Sequence, residues 1–158
     1  MDSELVGVAE MKLVHNPGSL MCIGLGSCMG IVIYDPAKRI AGMAHAMLPR
    51  YEEGRDKGNL SKYVDTAVYL LVDELKEMGS ARYDLRAKAA GGAHMFAFGC
   101  ADSLNIGLRN AEVCRETLEK ERIKLVSEDV GGSRGRTVTF DPATGLMKVQ
   151  IGSEVYII

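Results

Sequence analysis

The chain has no tryptophan, and aromatic residues make up only 6% of its 158 residues. A core of this size must then be filled by Leu, Ile, Val, Ala and nine Met, an adaptable packing set. No Cys-x-x-Cys pair occurs among the four cysteines, Cys22, Cys28, Cys100 and Cys114, and the opening Met1-Asp2-Ser3-Glu4 lacks the basic stretch of a secretory leader. A disulfide framework and a thiolate zinc site are thereby disfavoured. No apolar run reaches the roughly 18 residues needed to cross a membrane, so a cytoplasmic protein that is not membrane-inserted is expected. Charges of both signs are interspersed, 19 Lys plus Arg against 21 Asp plus Glu for a net charge of -2, so the basic footprint of nucleic-acid binding is missing too. There is no internal repeat, and the length suits one domain over residues 1–158 that buries about two-thirds of its unfolded surface.

What is present alternates between strand and turn signals. Leu5 to Val14, Leu20 to Leu25, Met29 to Tyr34 and Ile40 to Leu48 read as strands, separated by Asn16-Pro17-Gly18 and Asp35-Pro36 and closed by Pro49. Residues 50–59 are polar and aperiodic, the signature of an exposed, mobile loop. From Leu60 the apolar spacing predicts a helix ending near Met78, with Gly79 as its stop. Arg86 to Ala90 is a short strand leading into Gly91-Gly92. A second helix begins between Asn105 and Asn110, its apolar stripe Ala111, Val113, Cys114, Leu118 and Ile123. Strands return from Lys124 to Ile158. Strands in both terminal thirds with two helices between them predict an α+β fold: two packed mixed or antiparallel β-sheets with the two main helices on the outside.

The densest unusual segment is Cys22-Ile23-Gly24-Leu25-Gly26-Ser27-Cys28-Met29-Gly30. Small residues ahead of a thiol allow close approach of a ligand and can aim backbone N–H groups at a developing oxyanion. A Gly-containing bend with a buried thiol fits the same letters. It is not a nucleotide loop, because the third Gly and the Lys-Ser/Thr pair are absent. Cys100 and Cys114 read as small buried hydrophobes. A nucleophilic Cys28 needs a partner that takes its proton and returns it to a leaving group, and His does both near neutral pH. His45, within Ala44-His45-Ala46-Met47-Leu48-Pro49 on the neighbouring strand, ranks first. His94 is second, and His15 reads as a turn residue.

Leu25-Gly26-Ser27-Cys28 followed by Asp35-Pro36 and then Ala44-His45-x-Met47-Leu48-Pro49 resembles the chemoreceptor glutamine deamidases of the CheD family. Matching segments continue along nearly the whole chain: Asn16-Pro17-Gly18, Lys62-Tyr63, Gly91-Gly92-Ala93-x-Met95-Phe96, Ile106-Gly107-x-Arg109-Asn110 and Asp129-x-Gly131-Gly132-x-x-Gly135-Arg136. The resemblance implies a fold like the cysteine hydrolase core of deamidating bacterial toxins. It implies Cys28 as nucleophile and His45 as general acid/base in converting receptor Gln side chains to Glu. In the family a Thr commonly stands six residues before the Cys, where this chain has Cys22, a poor hydrogen-bonding substitute for a hydroxyl.

The mechanism so implied has a Cys28 thiolate, favoured by protonated His45, attacking the amide while backbone N–H groups near Ser27 and Cys28 hold the oxyanion. Water then hydrolyses the thioester, and no cofactor is called for. The expected partners are chemoreceptor cytoplasmic domains and a CheC-type phosphatase, with Met95 and Phe96 as apolar anchors or, equally, core residues. Two other readings remain: a weakly catalytic regulator that binds receptors and the phosphatase, and amine transfer to the thioester in place of hydrolysis.

Overall fold

The structure, a computed structural model, describes residues 3–95 and 105–158. Its strands are β1 (Ser3–Leu5), β2 (Met11–His15), β3 (Ser19–Leu25), β4 (Met29–Asp35), β5 (Ile40–Ala46), β6 (Arg86–Gly91), β7 (Lys124–Val130), β8 (Arg136–Asp141), β9 (Leu146–Ile151) and β10 (Glu154–Ile157). The helices are α1 (Val64–Glu77) and α2 (Ile106–Lys120). One five-stranded sheet runs β1-β3-β8-β9-β10, the other β2-β5-β4-β6-β7. The pairs β1/β3 and β6/β7 are parallel and the others antiparallel, so both sheets are mixed. The two-sheet α+β architecture is as the sequence predicts. Both helices, however, lie on one outer face, that of the second sheet, where α1 packs on β5 and β4 and α2 on β7, β4 and β6.

This layering explains the strand patterns. The second sheet is covered on both faces, so β4 is buried at every position: Met29, Ile31 and Ile33 meet the helices, while Val32 and Tyr34 meet the first sheet. The first sheet has an open outer face, and β8 and β9 accordingly alternate buried and exposed residues. Between the sheets lie Val6, Leu20, Cys22, Leu25, Met43, Ala90, Val138, Phe140 and Met147. Packing in that layer is tight, with the Tyr34 and Phe140 ring centroids 4.9 Å apart. Lys88 also faces it and donates to the carbonyl of Ile158 at 2.8 Å.

Three boundaries differ from the sequence reading. Leu5 to Val14 is not one strand: the chain leaves the first sheet after β1, turns over Val6 to Glu10 with Ala9 at φ 62°, and enters the second sheet as β2. An apolar run does not signal a change of sheet. β5 stops at Ala46 because the N–H groups of Met47 and Leu48 both turn to the Lys62 carbonyl, at 2.8 and 3.1 Å. Leu60–Lys62 forms a 3-10 turn capped by Asn59, and Tyr63 is extended before α1 begins. Gly79 ends that helix region at φ 103° as expected, and the Asn105 side chain caps α2 by accepting from Leu108 N at 3.0 Å. The 50–59 segment is largely exposed but tied down: it contains a 3-10 turn, Tyr51–Glu53, and Arg50–Glu116 and Arg109–Glu53 ion pairs at 2.6 Å bind it to α2. No described helix is long and apolar enough to cross a membrane.

Candidate active site

Cys28 closes the bend between β3 and β4, and His45 lies near the end of β5. Gly30 is paired directly with His45 in the β4/β5 ladder, so their side-chain positions share a face, and Cys28, two residues earlier, lies on that face as well. It is the face toward the first sheet: Cys28 packs against the intersheet cluster that contains Cys22 and Met43. A diagonal cross-strand pair of this kind has α-carbons roughly 7–8 Å apart. Among the described residues no hydrogen bond joins the Cys28 thiol to the His45 ring. Catalytic contacts of this sort commonly tighten only when substrate is bound.

The His45 ring is oriented by the main chain. Its Nδ1 lies 3.3 Å from the carbonyl oxygen of Val6, which can only accept, so the proton sits on Nδ1 and Nε2 is left as the acceptor. The same crossover segment fixes the backbone of His45, with Ala9 N donating to His45 O at 2.8 Å and His45 N to Glu10 O at 3.0 Å. The Cys22 thiol donates to Met43 Sδ at 3.3 Å, and among the described residues no hydrogen bond joins it to the His45 ring.

The Cys28 bend is held through three successive carbonyls. Gly26 O accepts from Ala93 N at 2.9 Å, Ser27 O from Asn110 Nδ2 at 2.8 Å, and Cys28 O from Gly92 N at 3.0 Å. In a planar trans peptide the N–H points away from the preceding C=O. The N–H groups of Ser27 and Cys28 are therefore turned from the scaffold, and among the described residues no backbone carbonyl of another residue binds either. Gly91 makes the arrangement possible. It sits at φ 117°, and a Cβ there would overlap the Cys28 carbonyl oxygen.

Burial dominates the electrostatics. It raises the Cys28 thiol above its ordinary range, with its own backbone N–H pulling back, and lowers His45 below the usual imidazole value, with the Val6 carbonyl opposing. Both directions run against the thiolate–imidazolium pair expected from sequence and favour a neutral resting pair. Cys22 and Cys114 are each pushed up to about 12, chiefly by burial, which favours the protonated thiol.

The remaining candidates separate clearly. His15 is exposed at the far end of β2, opposite Ile40. The backbone N of His94 donates to Gly132 O at 2.8 Å, and the residue lines a cavity of about 300 Å³ with Arg115 and Gly131, away from the intersheet face. Met95 is 48% exposed, and its Cγ lies 3.1 Å from where a Cβ on Gly26 would stand, so it borders the nucleophile bend. Phe96 and Cys100 lie outside the described residues. No group of three or more described His, Cys, Asp or Glu side chains gathers as a metal site would require. The sequence reading gave no role to two groups: the Val6 carbonyl, for which no side-chain signal exists, and Asn110, named there only within a matching segment and placed on the buried Gly107, Asn110, Ala111, Cys114 face of α2.

A family model described as CheD chemotactic sensory transduction matches residues 47–151. The chain is 45% identical to the chemoreceptor glutamine deamidase CheD of Halalkalibacterium halodurans over 147 residues, 92% of this chain and 91% of that protein. It is 45% identical over 152 residues to a probable chemoreceptor glutamine deamidase CheD of Geobacillus kaustophilus, covering 94% and 92%. It is 49% identical over 146 residues to one of Desulfitobacterium hafniense, covering 92% and 91%. Among solved structures, the hypothetical protein YfiH of Bacillus licheniformis overlaps with a TM-score of 0.41 at 18% identity, over 73% of this chain and 46% of that one.

Proposed function

This chain belongs to the CheD family, and from that premise we propose that it deamidates receptor glutamines through Cys28 and His45. It is a protein-glutamine deamidase that acts on chemoreceptors, converting Gln side chains to Glu with release of ammonia. The observation that carries the residue assignment is the shared intersheet face of Cys28 and His45 at a bend whose three successive carbonyls are tied back.

The reaction begins from the neutral pair. Cys28 Sγ attacks the Gln δ-carbon while Nε2 of His45 takes the thiol proton, and the oxyanion forms against the N–H groups of Ser27 and Cys28. Collapse of the tetrahedral intermediate breaks the carbon–nitrogen bond. His45 returns its proton to the nitrogen, which leaves as ammonia. Water attacks the resulting thioester as His45 accepts its proton, and the released Cys28 thiolate recovers that proton. The product carboxylate adds a negative charge to a packed receptor helix, where like-charge neighbours shift the signalling equilibrium. A CheC-type phosphatase belongs to the proposal as a regulatory partner, with the exposed Met95 at its contact. The cytoplasmic side of the membrane, where the receptor signalling domains lie, is the proposed location.

The test is to incubate the purified protein with receptor cytoplasmic fragments and measure ammonia together with the Gln-to-Glu mass gain. Activity in the native protein that vanishes in both Cys28→Ala and His45→Ala supports the assignment. Binding without ammonia release replaces it with the regulator reading, and cross-linked product without Glu replaces it with amine transfer.

A further inference from the structure

We infer that Asn110 is a positioning residue of the deamidation reaction, one that sets the oxyanion-binding peptide and the spacing between the two reacting side chains. The inference rests on the assignment of Cys28 and His45 made above. Asn110 is fully buried on α2, and its Nδ2 donates to Ser27 O at 2.8 Å and to Met47 O at 3.0 Å. These carbonyls lie one residue before the proposed nucleophile and two residues after the proposed base. One amide thus bridges the two chain segments that must stay in register.

Two carbonyl acceptors leave no doubt about the amide's orientation, because a flipped side chain would place its own oxygen against both of them. The bond to Ser27 O bears on chemistry, since Ser27 C=O and Cys28 N–H belong to the same planar peptide. Holding the carbonyl toward α2 turns the Cys28 N–H toward the thiol side. A carbonyl that accepts a hydrogen bond also polarises its peptide and strengthens the opposite donor. Asn110 Oδ1 is buried without a protein partner among the described residues, so the amide is not retained for a fully satisfied network. Close packing fixes the helix that carries it: a Cβ on Gly107 would overlap the Ala93 carbonyl, and one on Gly92 would stand 2.9 Å from Gly107 O.

The experiment compares native protein with Asn110→Ala and with the near-isosteric Asn110→Leu, which has no donor. Three quantities are read on folded protein: kcat and KM for ammonia release from a receptor fragment, the rate of Cys28 alkylation by iodoacetamide, and the acid limb of the pH–rate profile. Alkylation is a displacement at carbon that makes no oxyanion, so it feels the peptide N–H only through that group's effect on thiol ionisation. The inference expects kcat to fall by about 10- to 100-fold with KM within about twofold. Alkylation should stay within about threefold, and the acid limb should not move. Unchanged kcat in the folded variants overturns it. Parallel loss of deamidation and alkylation overturns it as well, since that pattern marks general disorder of the bend, and failure of both variants to fold makes Asn110 a fold determinant instead. If native protein releases no ammonia, the deamidase assignment fails first, which is a distinct result.

Discussion

Substituting Gly91 by Ala tests whether the nucleophile bend depends on backbone approach or only on its own sequence. The position is closed to side chains in two ways. Its φ of 117° is a conformation that L residues rarely adopt, at about 1–3 kcal/mol. A Cβ would also overlap the Cys28 carbonyl oxygen, and relieving the clash means moving backbone, an overpacking cost of about 1–3 kcal/mol. Together these give about 2–6 kcal/mol, a large share of the roughly 5–15 kcal/mol that holds a domain folded. Gly24 is the control: its φ is 67° but nothing lies within 4 Å of its Cβ position, so Ala there carries only the left-handed cost of about 1–2 kcal/mol. With a urea slope of about 2 kcal/mol/M, Gly91→Ala should lower the unfolding midpoint by about 2 M and Gly24→Ala by less than about 1 M. Any folded Gly91→Ala protein should have lost the Gly92 N to Cys28 O bond, 3.0 Å in the native protein, and with it most deamidase activity. Equal midpoints for the two variants, or full activity in Gly91→Ala, would refute the reasoning.

Four further outcomes follow from the site. Because His45 is held below the ordinary imidazole value and must be neutral to accept the Cys28 proton, kcat/KM should rise through an acid limb below about pH 6.5 and then stay flat past neutrality; a limb above pH 7 would restore the ion-pair starting state. The same burial bears on stability: below that pH the unfolded chain binds a proton at His45 that the folded chain resists, so stability should fall on acidification, as urea midpoints across pH 5–7 would register. In native protein iodoacetamide should modify Cys28 while Cys22 and Cys114 stay unlabelled until denaturant is added, as peptide mass mapping would show. Cys22→Ala should keep kcat within about threefold and reduce stability by about 1 kcal/mol for the lost buried sulfur, whereas a tenfold loss restored by Cys22→Thr would return the orienting role to that position.

The parts legible in the sequence are those written in side chains. Periodicity located both helices, Asn105 and Gly79 marked their ends, and glycine clustering singled out the bend that carries Cys28. The parts that were not legible are decided by main-chain groups and by layer packing. Nothing in Leu5 to Val14 states that the chain changes sheet, because both sheets want the same apolar residues. That both helices share one face follows only from β4 being covered on both sides, and a run such as Ile31-Val32-Ile33 has the same letters in either layering. The resting protonation of Cys28 and His45 depends on burial depth, which spacing along the chain does not contain. Asn110 was detectable in principle as a polar interruption of an apolar helix face, yet which carbonyls it reaches is a tertiary fact.

Position 22 illustrates what main-chain orientation permits. A side chain that orients an imidazole can be lost by one substitution, but the Val6 carbonyl persists whatever residue occupies that position, provided the segment stays in place. Here it is held by the complete burial of Val6 between the sheets, by Val6 N donating to Met21 O at 2.8 Å, and by the two bonds that join Ala9 and Glu10 to the backbone of His45. The histidine and its orienting carbonyl thus move as one unit. With that unit in place, the thiol at position 22 packs against Met43. The weak point shifts accordingly from the side chain at position 22 to the crossover itself, whose tight turn at Ala9 and Glu10–Gly7 bond of 2.8 Å set where the Val6 carbonyl stands.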